Sequence, residues 1–304
     1  MKPLSFVIIT YNRPADMLEL ARNISLLAKA EELLEEVIIV NNASTQDYAD
    51  VKQFIDQTPS IPFRFIDSPE NLGVARGRNY ALQQGTAPYV IMLDDDAVLQ
   101  NDNALVNLLE EFSRPANGRP VAIISFKVLY YDTLEIQVNT FPHKKFNAYR
   151  EKPFFLTYYY AGGAHAIKRE VFDKTGKYPV DFFYGMEEYD LSYRILDAGY
   201  SIVYSNSVVM LHKESPLGRK TKKEKMAMLW INKSKVAWRY LPLIYFLSTS
   251  MLWSFEYLGK TGFDLWGWCK GWLEIMRIPA SEKRTTVKQS TLEYLTSVEA
   301  RLWY

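Results

Sequence analysis

Residues 4–14 read LSFVIITYNRP, an apolar and β-branched run that ends in a polar cluster and a proline. A run of this length and composition is typical of a buried strand. Pro14 suits the first turn of a helix, and apolar residues recur at helical spacing from Met17 to Ala28. These residues therefore predict a strand and a helix joined by a loop at 11–13.

The same alternation of strand-like and helix-like segments continues to residue 96. Further short apolar runs lie at 37–40, 63–66 and 89–93, and a helical pattern lies at 74–84. Strands that alternate with helices favour a parallel sheet covered on both faces. Because ligands bind at the carboxyl ends of the strands in such sheets, the polar clusters at 11–13, 41–42 and 94–96 are predicted to meet at one rim.

Beyond residue 120 the pattern is coarser. The segments 121–130 and 201–211 resemble strands, and 131–160 is rich in loops and aromatic residues. The segments 161–172 and 190–198 are interpreted as partly helical.

The composition excludes several classes of protein. The chain has 304 residues, 48% of them hydrophobic, with 36 basic and 35 acidic side chains, so it is neither disordered nor collagen-like. Its one cysteine excludes a disulfide framework and argues against a Cys-rich zinc module. No glycine-rich dinucleotide motif follows the first strand and no P-loop is present, which disfavours both nucleotide-binding types.

Three consecutive aspartates, at 94–96, follow a hydrophobic run. Like charges in contact repel and raise one another's pKa values. A divalent cation with oxygen ligands would relieve this repulsion and could also hold substrate phosphates. A solvated loop or a helix N-terminus is an equally acceptable explanation from position alone.

A series of motifs resembles the inverting glycosyltransferases of family 2, which have the GT-A fold. The motifs are FVIITYNR (6–13), VNNAST (40–45), NLGVARGRN (71–79), LDDD (93–96), AGGA (161–164), EEYDL (187–191) with Arg194 and Gly199, and finally His212. The resemblance covers about 4–215 and implies an α/β fold, a Rossmann-like mixed sheet flanked by helices, in a catalytic domain at 1–215.

The resemblance implies a nucleotide-diphosphate sugar donor, most simply a UDP- or dTDP-hexose, and a divalent cation, Mn²⁺ or Mg²⁺. By similarity Asp94 faces the ribose or the donor sugar, while Asp96 and His212 bind the metal. Without the family resemblance, His212 would be interpreted as an ordinary surface or packed histidine. Imidazole and carboxylate ligands suit a cation that bridges two phosphates.

The donor pocket implied by the resemblance is lined from several motifs. Arg78 is the candidate for the diphosphate, because its planar fork matches phosphate oxygens. Asn41 and Asn42 occupy a position where relatives often carry an Asp that hydrogen-bonds the nucleotide base. For Asn42, a structural role in a turn at the end of the strand is an equally good explanation. The full predicted set is Thr10, Tyr11, Asn12, Arg13, Asn41, Asn42, Asn71, Gly73, Arg78, Asp94, Asp95 and Gly163.

Glu187 and Glu188 carry the hypothesis of a catalytic base. Inverting transfer needs one carboxylate to take a proton from the acceptor hydroxyl as it attacks. The family's acidic motif usually places the base at the second position, which favours Glu188, with Glu187 as a possible partner. Asp190 is expected to cap a helix or to pair with Arg194 at i+4.

The last ninety residues differ from the rest of the chain. Residues 213–304 hold 16 basic and 8 acidic side chains and all seven tryptophans. A basic run at 213–239 precedes an uncharged segment at 241–255 and a pattern with a Trp-rich helical face at 265–277. This composition favours a helical region, 216–304, that docks on an anionic membrane surface; packing on the catalytic domain or on a second subunit is the alternative.

The prediction is therefore a metal-dependent, inverting hexosyltransferase that acts on a glycan or lipid-linked acceptor. No secretory signal is seen, so we expect the chain in the cytoplasm, peripheral on the inner face of the cell membrane. Nucleic acid is disfavoured because the catalytic half is acidic, and a homo-oligomer stays open. A catalytically silent sugar-nucleotide-binding or scaffold protein and a nucleotidyltransferase are the alternatives.

Overall fold

The computed structural model describes residues 1–114, 116–182, 184–214 and 221–303. The strands are β1 Leu4–Thr10, β2 Leu34–Asn41, β3 Phe63–Asp67, β4 Tyr89–Asp94, β5 Ala97–Leu99, β6 Val121–Tyr130, β7 Phe154–Thr157, β8 Ala164–Lys168 and β9 Ser201–His212. The helices are α1 Pro14–Leu26, α2 Ala30–Leu33, α3 Ala49–Asp56, α4 Gly73–Gln83, α5 Ala104–Ser113, α6 Phe146–Tyr149, α7 Val171–Thr175, α8 Glu187–Asp197, α9 Lys222–Tyr240, α10 Leu243–Thr261, α11 Leu265–Ser281 and α12 Gln289–Ser297.

The strands form one mixed sheet in the order β3-β2-β1-β4-β8-β6-β9-β5, and β7 also pairs with β9. The first four strands in this order are parallel, as the alternating pattern predicts. β8 runs antiparallel between β4 and β6. The mixed sheet confirms the fold class that the family resemblance implies, while the parallel part ends at β4.

The register of the parallel strands brings their polar ends together. Thr10 at the end of β1 lies opposite Asn41 of β2, and Ile9 lies opposite Asp94 of β4. Asp67 ends β3 opposite Asn41. The predicted rim of polar side chains therefore forms at the carboxyl ends of these strands.

Helices cover both faces of the sheet. Apolar side chains of α1, α2, α3 and α5 pack on one face of the sheet and form one continuous cluster of buried residues. Those of α4, α7 and α8 pack on the other face. The spacing of buried residues in α1 (Met17, Leu20, Ala21 and Ile24) is the helical spacing read from the sequence.

The C-terminal helices share the core of the second face. Trp230 of α9 is completely buried, and Ile275 and Leu295 belong to the same cluster as Val7 and Met92 of the sheet. The predicted boundary between 215 and 216 lies outside the described residues, as do Arg219 and Lys220 of the basic run. The inner sides of α9–α12 thus pack on the sheet domain.

A buried ion-pair network joins α8 to α9. The Asp190 carboxylate is 2.7 Å from Nη2 of Arg194, the predicted i+4 pair, and 2.8 Å from Nη1 of Arg239 in α9. It also accepts a hydrogen bond from the Tyr240 hydroxyl at 3.0 Å. Because Asp190 is almost fully buried, this network ties the acidic helix to the C-terminal region.

The segment 161–172 differs from the prediction. It contains β8, Ala164–Lys168, before the short helix α7. The strand forms because its backbone is paired on both sides, by β4 and by β6, and such tertiary pairing overrides a weak local preference.

Candidate active site

Potential metal ligands from two distant parts of the chain converge at the rim of the sheet. Oxygens of Asp94 and Asp96 and a ring nitrogen of His212 all lie within 4.8 Å of one another. Nε2 of His212 is 3.3 Å from Oδ1 of Asp96. Two carboxylates and an imidazole form a donor set that suits Mn²⁺ or Mg²⁺, so these residues can hold a divalent cation. Asp94 belongs to this cluster as well, in addition to the sugar-facing role implied for it.

Strand pairing explains why His212 reaches the aspartates. β5 follows Asp96 and pairs with the end of β9, so that Ala97 lies opposite His212. Nδ1 of His212 is 3.0 Å from Oε1 of Gln137, a completely buried residue. Because an amide oxygen only accepts, this contact places the ring proton on Nδ1 and leaves Nε2 to a cation.

The negative charges around the Asp94–Asp96–His212 cluster favour a positive charge at this position. Burial opposes a charge on His212, but the carboxylate of Asp96, 3.3 Å away, and the other nearby acids outweigh burial and raise its pKa. In the described part of the chain, the acids at 94–96 and 187–188 outnumber the two guanidinium groups within 4.0 Å of them, those of Arg13 and Arg78. A divalent cation would reduce this excess of negative charge.

Asp95 and Arg13 connect the loop after β1 to the aspartates. Nη1 of Arg13 is 2.9 Å from Oδ1 of Asp95 and 3.1 Å from Oδ2 of Asp96. The Tyr11 backbone N–H donates to Asp95 at 3.2 Å. Burial raises the pKa of Asp95 to about 6, although Arg13 opposes the shift. Asp95 is thus turned inward and shapes the loop that carries Tyr11 and Arg13.

Thr10 and Asn12 hold the neighbouring loop in place. The hydroxyls of Thr10 and Tyr48 share a hydrogen bond of 2.7 Å. Oδ1 of Asn12 accepts from the backbone N–H groups of Thr45 at 2.8 Å and Gln46 at 3.2 Å. Asn12 has a φ of 55°, a conformation that Asn tolerates better than most residues. These two side chains therefore hold the loop at 11–13 against the segment 45–48.

The asparagines at the end of β2 bridge adjacent segments of the rim. Nδ2 of Asn41 donates to Asp67 at 2.8 Å, and Nδ2 of Asn42 donates to Oδ1 of Asn71 at 3.1 Å. Oδ1 of Asn71 also accepts from the Gly73 N–H, at 2.9 Å. Both amides are nearly buried, so they join β2 to β3 and to the start of α4.

Arg78 connects the aspartate cluster with the acidic helix. Its Nη1 is 3.0 Å from Oε1 of Glu188 and 3.8 Å from Glu187, and its Nη2 is 3.8 Å from Asp94. Burial lowers the pKa of Arg78, but these acids outweigh burial and raise it. The guanidinium also lies over the ring of Tyr178, 5.5 Å from its centroid. Arg78 is thus a fixed positive charge between the two acidic groups.

Two consecutive glycines separate the aspartates from the acidic helix. A Cβ atom on Gly163 would overlap the carboxyl group of Asp94, and one on Gly162 would overlap that of Glu188. A ring nitrogen of His165 is 3.0 Å from the Ala161 carbonyl oxygen, which fixes the start of this loop. The glycines therefore allow Asp94 and Glu188 to contact the same short stretch of backbone.

The two glutamates differ in exposure. Glu187 is 3% exposed, whereas 16% of the Glu188 side chain is accessible. Burial, followed by the charge of Glu188, raises the pKa of Glu187. Gly185 and Met186 both have positive φ angles, 76° and 74°, and they form the turn before α8, whose Glu188 lies against Gly162.

The structure adds three residues that the sequence reasoning missed: Gln137, Asp67 and Tyr178. Asp67 directly follows a predicted strand, and that position would have marked it as part of the rim. Gln137 and Tyr178 lie in segments without clear periodicity, so nothing in the sequence indicated them.

Comparison with known proteins assigns a family to this arrangement. The sequence model described as "Glycosyl transferase family 2" matches residues 5–176. An uncharacterized protein of Haemophilus influenzae is 28% identical over 178 residues, 58% of this chain and 92% of that protein. The poly-beta-1,6-N-acetyl-D-glucosamine synthase of Staphylococcus epidermidis is 28% identical over 111 residues, which is 36% of this chain but 26% of that protein.

Solved structures of glycosyltransferases share the fold. A mannosyltransferase from Pyrobaculum calidifontis, in complex with GDP-Man and Mn²⁺, superposes with a TM-score of 0.60 at 19% identity, over 100% of this chain and 81% of that one. GalNAc-T7 with UDP, GalNAc and Mn²⁺ gives 0.66 at 17% identity, over 99% and 58%. S. aureus TarS 1–349 with UDP-GlcNAc gives 0.61 at 14% identity, over 91% and 81%.

Proposed function

Since the chain belongs to glycosyl transferase family 2, we propose that it transfers a hexose from a UDP- or dTDP-sugar to an acceptor hydroxyl with inversion. The donor diphosphate would lie at the Asp94–Asp96–His212 cluster. A divalent cation bound there would offset charge that develops on the leaving diphosphate.

The observation that carries this proposal is the glycine pair. Gly163 lies against Asp94 and Gly162 lies against Glu188. A sugar placed over this backbone would have its diphosphate on the side of the aspartates and its open face toward Glu188. Inverting displacement requires this arrangement, because the leaving group and the attacking hydroxyl stand on opposite sides of the anomeric carbon.

Glu188 is the proposed base. In a single displacement, its carboxylate takes the hydroxyl proton as the acceptor oxygen bonds to the anomeric carbon, and the bond to the diphosphate breaks with its electron pair. Arg78, 3.0 Å away, would hold Glu188 in position. Glu187 is too buried to meet an acceptor and carries a raised pKa, so we assign it a supporting role.

The remaining rim residues would bind the nucleotide. Asp67 stands beside Asn41, with its side chain 56% exposed, and adds a carboxylate to the pocket predicted from Thr10, Tyr11, Asn12, Asn42, Asn71 and Gly73. Arg13 is held by Asp95 and Asp96 and would face the phosphates.

The proposed acceptor is a growing cell-envelope glycan or a lipid-linked saccharide, and the proposed place of action is the inner face of the cell membrane. A name shared by several similar proteins, poly-beta-1,6-N-acetyl-D-glucosamine synthase, supports the polysaccharide class. The basic composition of residues 213–304 supports the membrane surface. The Trp-rich side predicted for 265–277 does not, because Trp268 and Trp272 pack on the core together with Ile275.

A donor screen tests the proposed function. We expect the melting temperature to rise when Mn²⁺ and a UDP- or dTDP-sugar are present together, because ligands that bind only the folded state stabilise it. Each component alone, and a GDP-sugar, serve as controls. No rise with any nucleotide sugar would contradict the proposal. Release of a nucleoside diphosphate identifies a transferase; release of pyrophosphate would indicate a nucleotidyltransferase, and binding without turnover a silent binding protein.

Gln137 provides a second test, directed at the cation. Replacing Gln137 with Leu removes the acceptor for the His212 Nδ1–H while keeping the volume similar. We expect the affinity for Mn²⁺, measured by electron paramagnetic resonance of free Mn²⁺, to fall by about 10- to 100-fold. Gln137→Glu keeps an acceptor and should retain most of the affinity. Equal affinity in all three proteins would exclude this role.

A further inference from the structure

The helix α10 carries six large apolar side chains on the side that faces away from the protein. Each of them is at least 42% exposed, and no charged residue occurs between positions 243 and 255. They are Leu243, Ile244, Leu247, Met251, Leu252 and Phe255. A helix on a water-facing surface normally shows polar residues on this side.

The inner side of α10 is correspondingly rich in small hydroxyl residues. Thr249, Ser250 and Ser254 are buried against the protein. The Ser254 hydroxyl donates to the Met251 carbonyl at 2.7 Å, and the indole N–H of Trp230 donates to the Ser250 carbonyl at 2.9 Å. Phe246 and Tyr257 are buried on this side as well, so α10 presents large apolar side chains on both of its sides.

The helix α11, which contacts α10, also exposes apolar side chains. Its exposed apolar residues are Leu265, Trp266, Leu273 and Met276, while Ile275 and Ile278 are buried on the opposite side. Among the described residues, eleven of the eighteen exposed large apolar side chains lie between 243 and 276. We call these eleven, the ten named on α10 and α11 together with Phe263, the α10–α11 face; apolar patches of this kind mark interaction sites.

The charges around the α10–α11 face favour an anionic surface. The acidic residues of α10 and α11 each have a basic partner. Glu256 pairs with Lys260 at 2.6 Å, and Glu274 pairs with Arg277 at 2.8 Å. Asp264 lies 3.7 Å from Lys223, which brings the basic first turn of α9 next to the start of α11. That turn also contains Lys222 and Lys225, together with one acid, Glu224.

Lys270 adds a further basic group at the edge of the face. Its ammonium lies 4.9 Å from the ring centroid of Trp266, and Trp266 is 72% exposed. Tryptophan and lysine side by side are typical of the boundary between lipid head groups and acyl chains. Within the described ranges, no helix combines the length and the apolarity that spanning a bilayer requires.

We propose that the α10–α11 face inserts into the surface of an anionic lipid bilayer, with the basic start of α9 against the head groups. The proposal deepens the proposed function and rests on it, because a bilayer surface is where a lipid-linked acceptor would lie. The helix α9, on which α10 and α11 pack, links them to the site: Nδ2 of Asn232 in α9 donates to the carbonyls of Tyr184 and Gly185, both at 3.1 Å, in the turn that leads to Glu188.

Sedimentation with vesicles tests the docking surface. The variant Leu247→Asp/Phe255→Asp puts two charges at its centre, and we expect its partition onto vesicles of phosphatidylglycerol and phosphatidylcholine to fall by about 100-fold. The matched control Leu26→Asp/Leu134→Asp places the same charges at exposed apolar sites elsewhere and should bind as the wild type does. Vesicles of phosphatidylcholine alone should bind the wild type more weakly.

A second measurement, fluorescence quenching, uses the wild type and needs no substitution that could destabilise the fold. Lipids brominated on the acyl chain should quench the fluorescence of the wild type, and Trp266→Phe should remove part of that quenching. Absence of binding to anionic vesicles, or equal binding by both Asp variants, would overturn the proposal. So would a dimer in light scattering that Leu247→Asp/Phe255→Asp dissociates. The melting-temperature response to Mn²⁺ and nucleotide sugar should persist in both variants, which separates this test from that of the proposed function.

Discussion

The Asp96→Ala variant is expected to lose the Mn²⁺-dependent part of its affinity for the nucleotide sugar. Asp96 is 1% exposed and lies 3.3 Å from His212 Nε2, so the variant loses one of the three potential ligands of the cluster. The loss of a ligand should weaken Mn²⁺ binding by at least about 100-fold, since outer partners of a ligand alone account for 10- to 100-fold. Calorimetric titration of the donor with and without Mn²⁺ measures the effect.

Asp67→Ala is the matched control for this variant. Asp67 also ends a parallel strand at the rim, but it contacts Asn41 and Lys52 rather than the cluster. We expect it to weaken nucleotide binding modestly and to leave the Mn²⁺ dependence intact. If Asp96→Ala kept the same donor affinity with and without Mn²⁺ as the wild type, the metal role of Asp96 would be refuted.

The Glu188→Gln variant should bind the donor normally and transfer almost nothing. The amide oxygen can still accept the hydrogen bond from Arg78, which is 3.0 Å from the carboxylate, so the pocket keeps its shape. Without a base the rate of transfer should fall by about 100- to 10,000-fold. Released nucleoside diphosphate, assayed with an acceptor glycan, reports the rate, and the melting-temperature rise reports donor binding.

Glu187→Gln is the control for the neighbouring carboxyl group. Burial raises the pKa of Glu187, so a neutral amide resembles the protonated acid and we expect most of the activity to remain. If Glu188→Gln retained full activity while Glu187→Gln lost it, the base would have to be reassigned to Glu187.

β1, β2, β4 and β6 could be predicted because they are buried on both sides. β1 at Leu4–Thr10 and β6 at Val121–Tyr130 begin and end where the apolar runs do, since such strands show no alternation and stop at polar residues. β8 could not be predicted in this way. Its sequence, AHAIK, has a completely buried histidine, and only the pairing with β4 and β6 makes it a strand.

The residues of the candidate site that belong to sequence motifs were predicted. Those that reach the site only through long-range contacts were missed. Asp96 and His212 were predicted by resemblance, and the structure brings them together through the pairing of β5 with β9. Gln137 reaches His212 from a loop without periodicity, so its role depends on tertiary contacts that no local pattern encodes. The outward stripe of α10 was present in the sequence as an uncharged segment, but only the packing of Ser250 and Ser254 shows which side faces out.

The hydrogen bonds from Asn232 to the turn before α8 have a consequence for selectivity. With α10 and α11 seated in lipid, they would set the height of Glu188 above the bilayer plane. The enzyme would then select its acceptor by distance from the membrane. It would glycosylate the hydroxyl whose distance from the lipid anchor matches that height, and would pass over chemically identical sugars nearer to the membrane or farther from it.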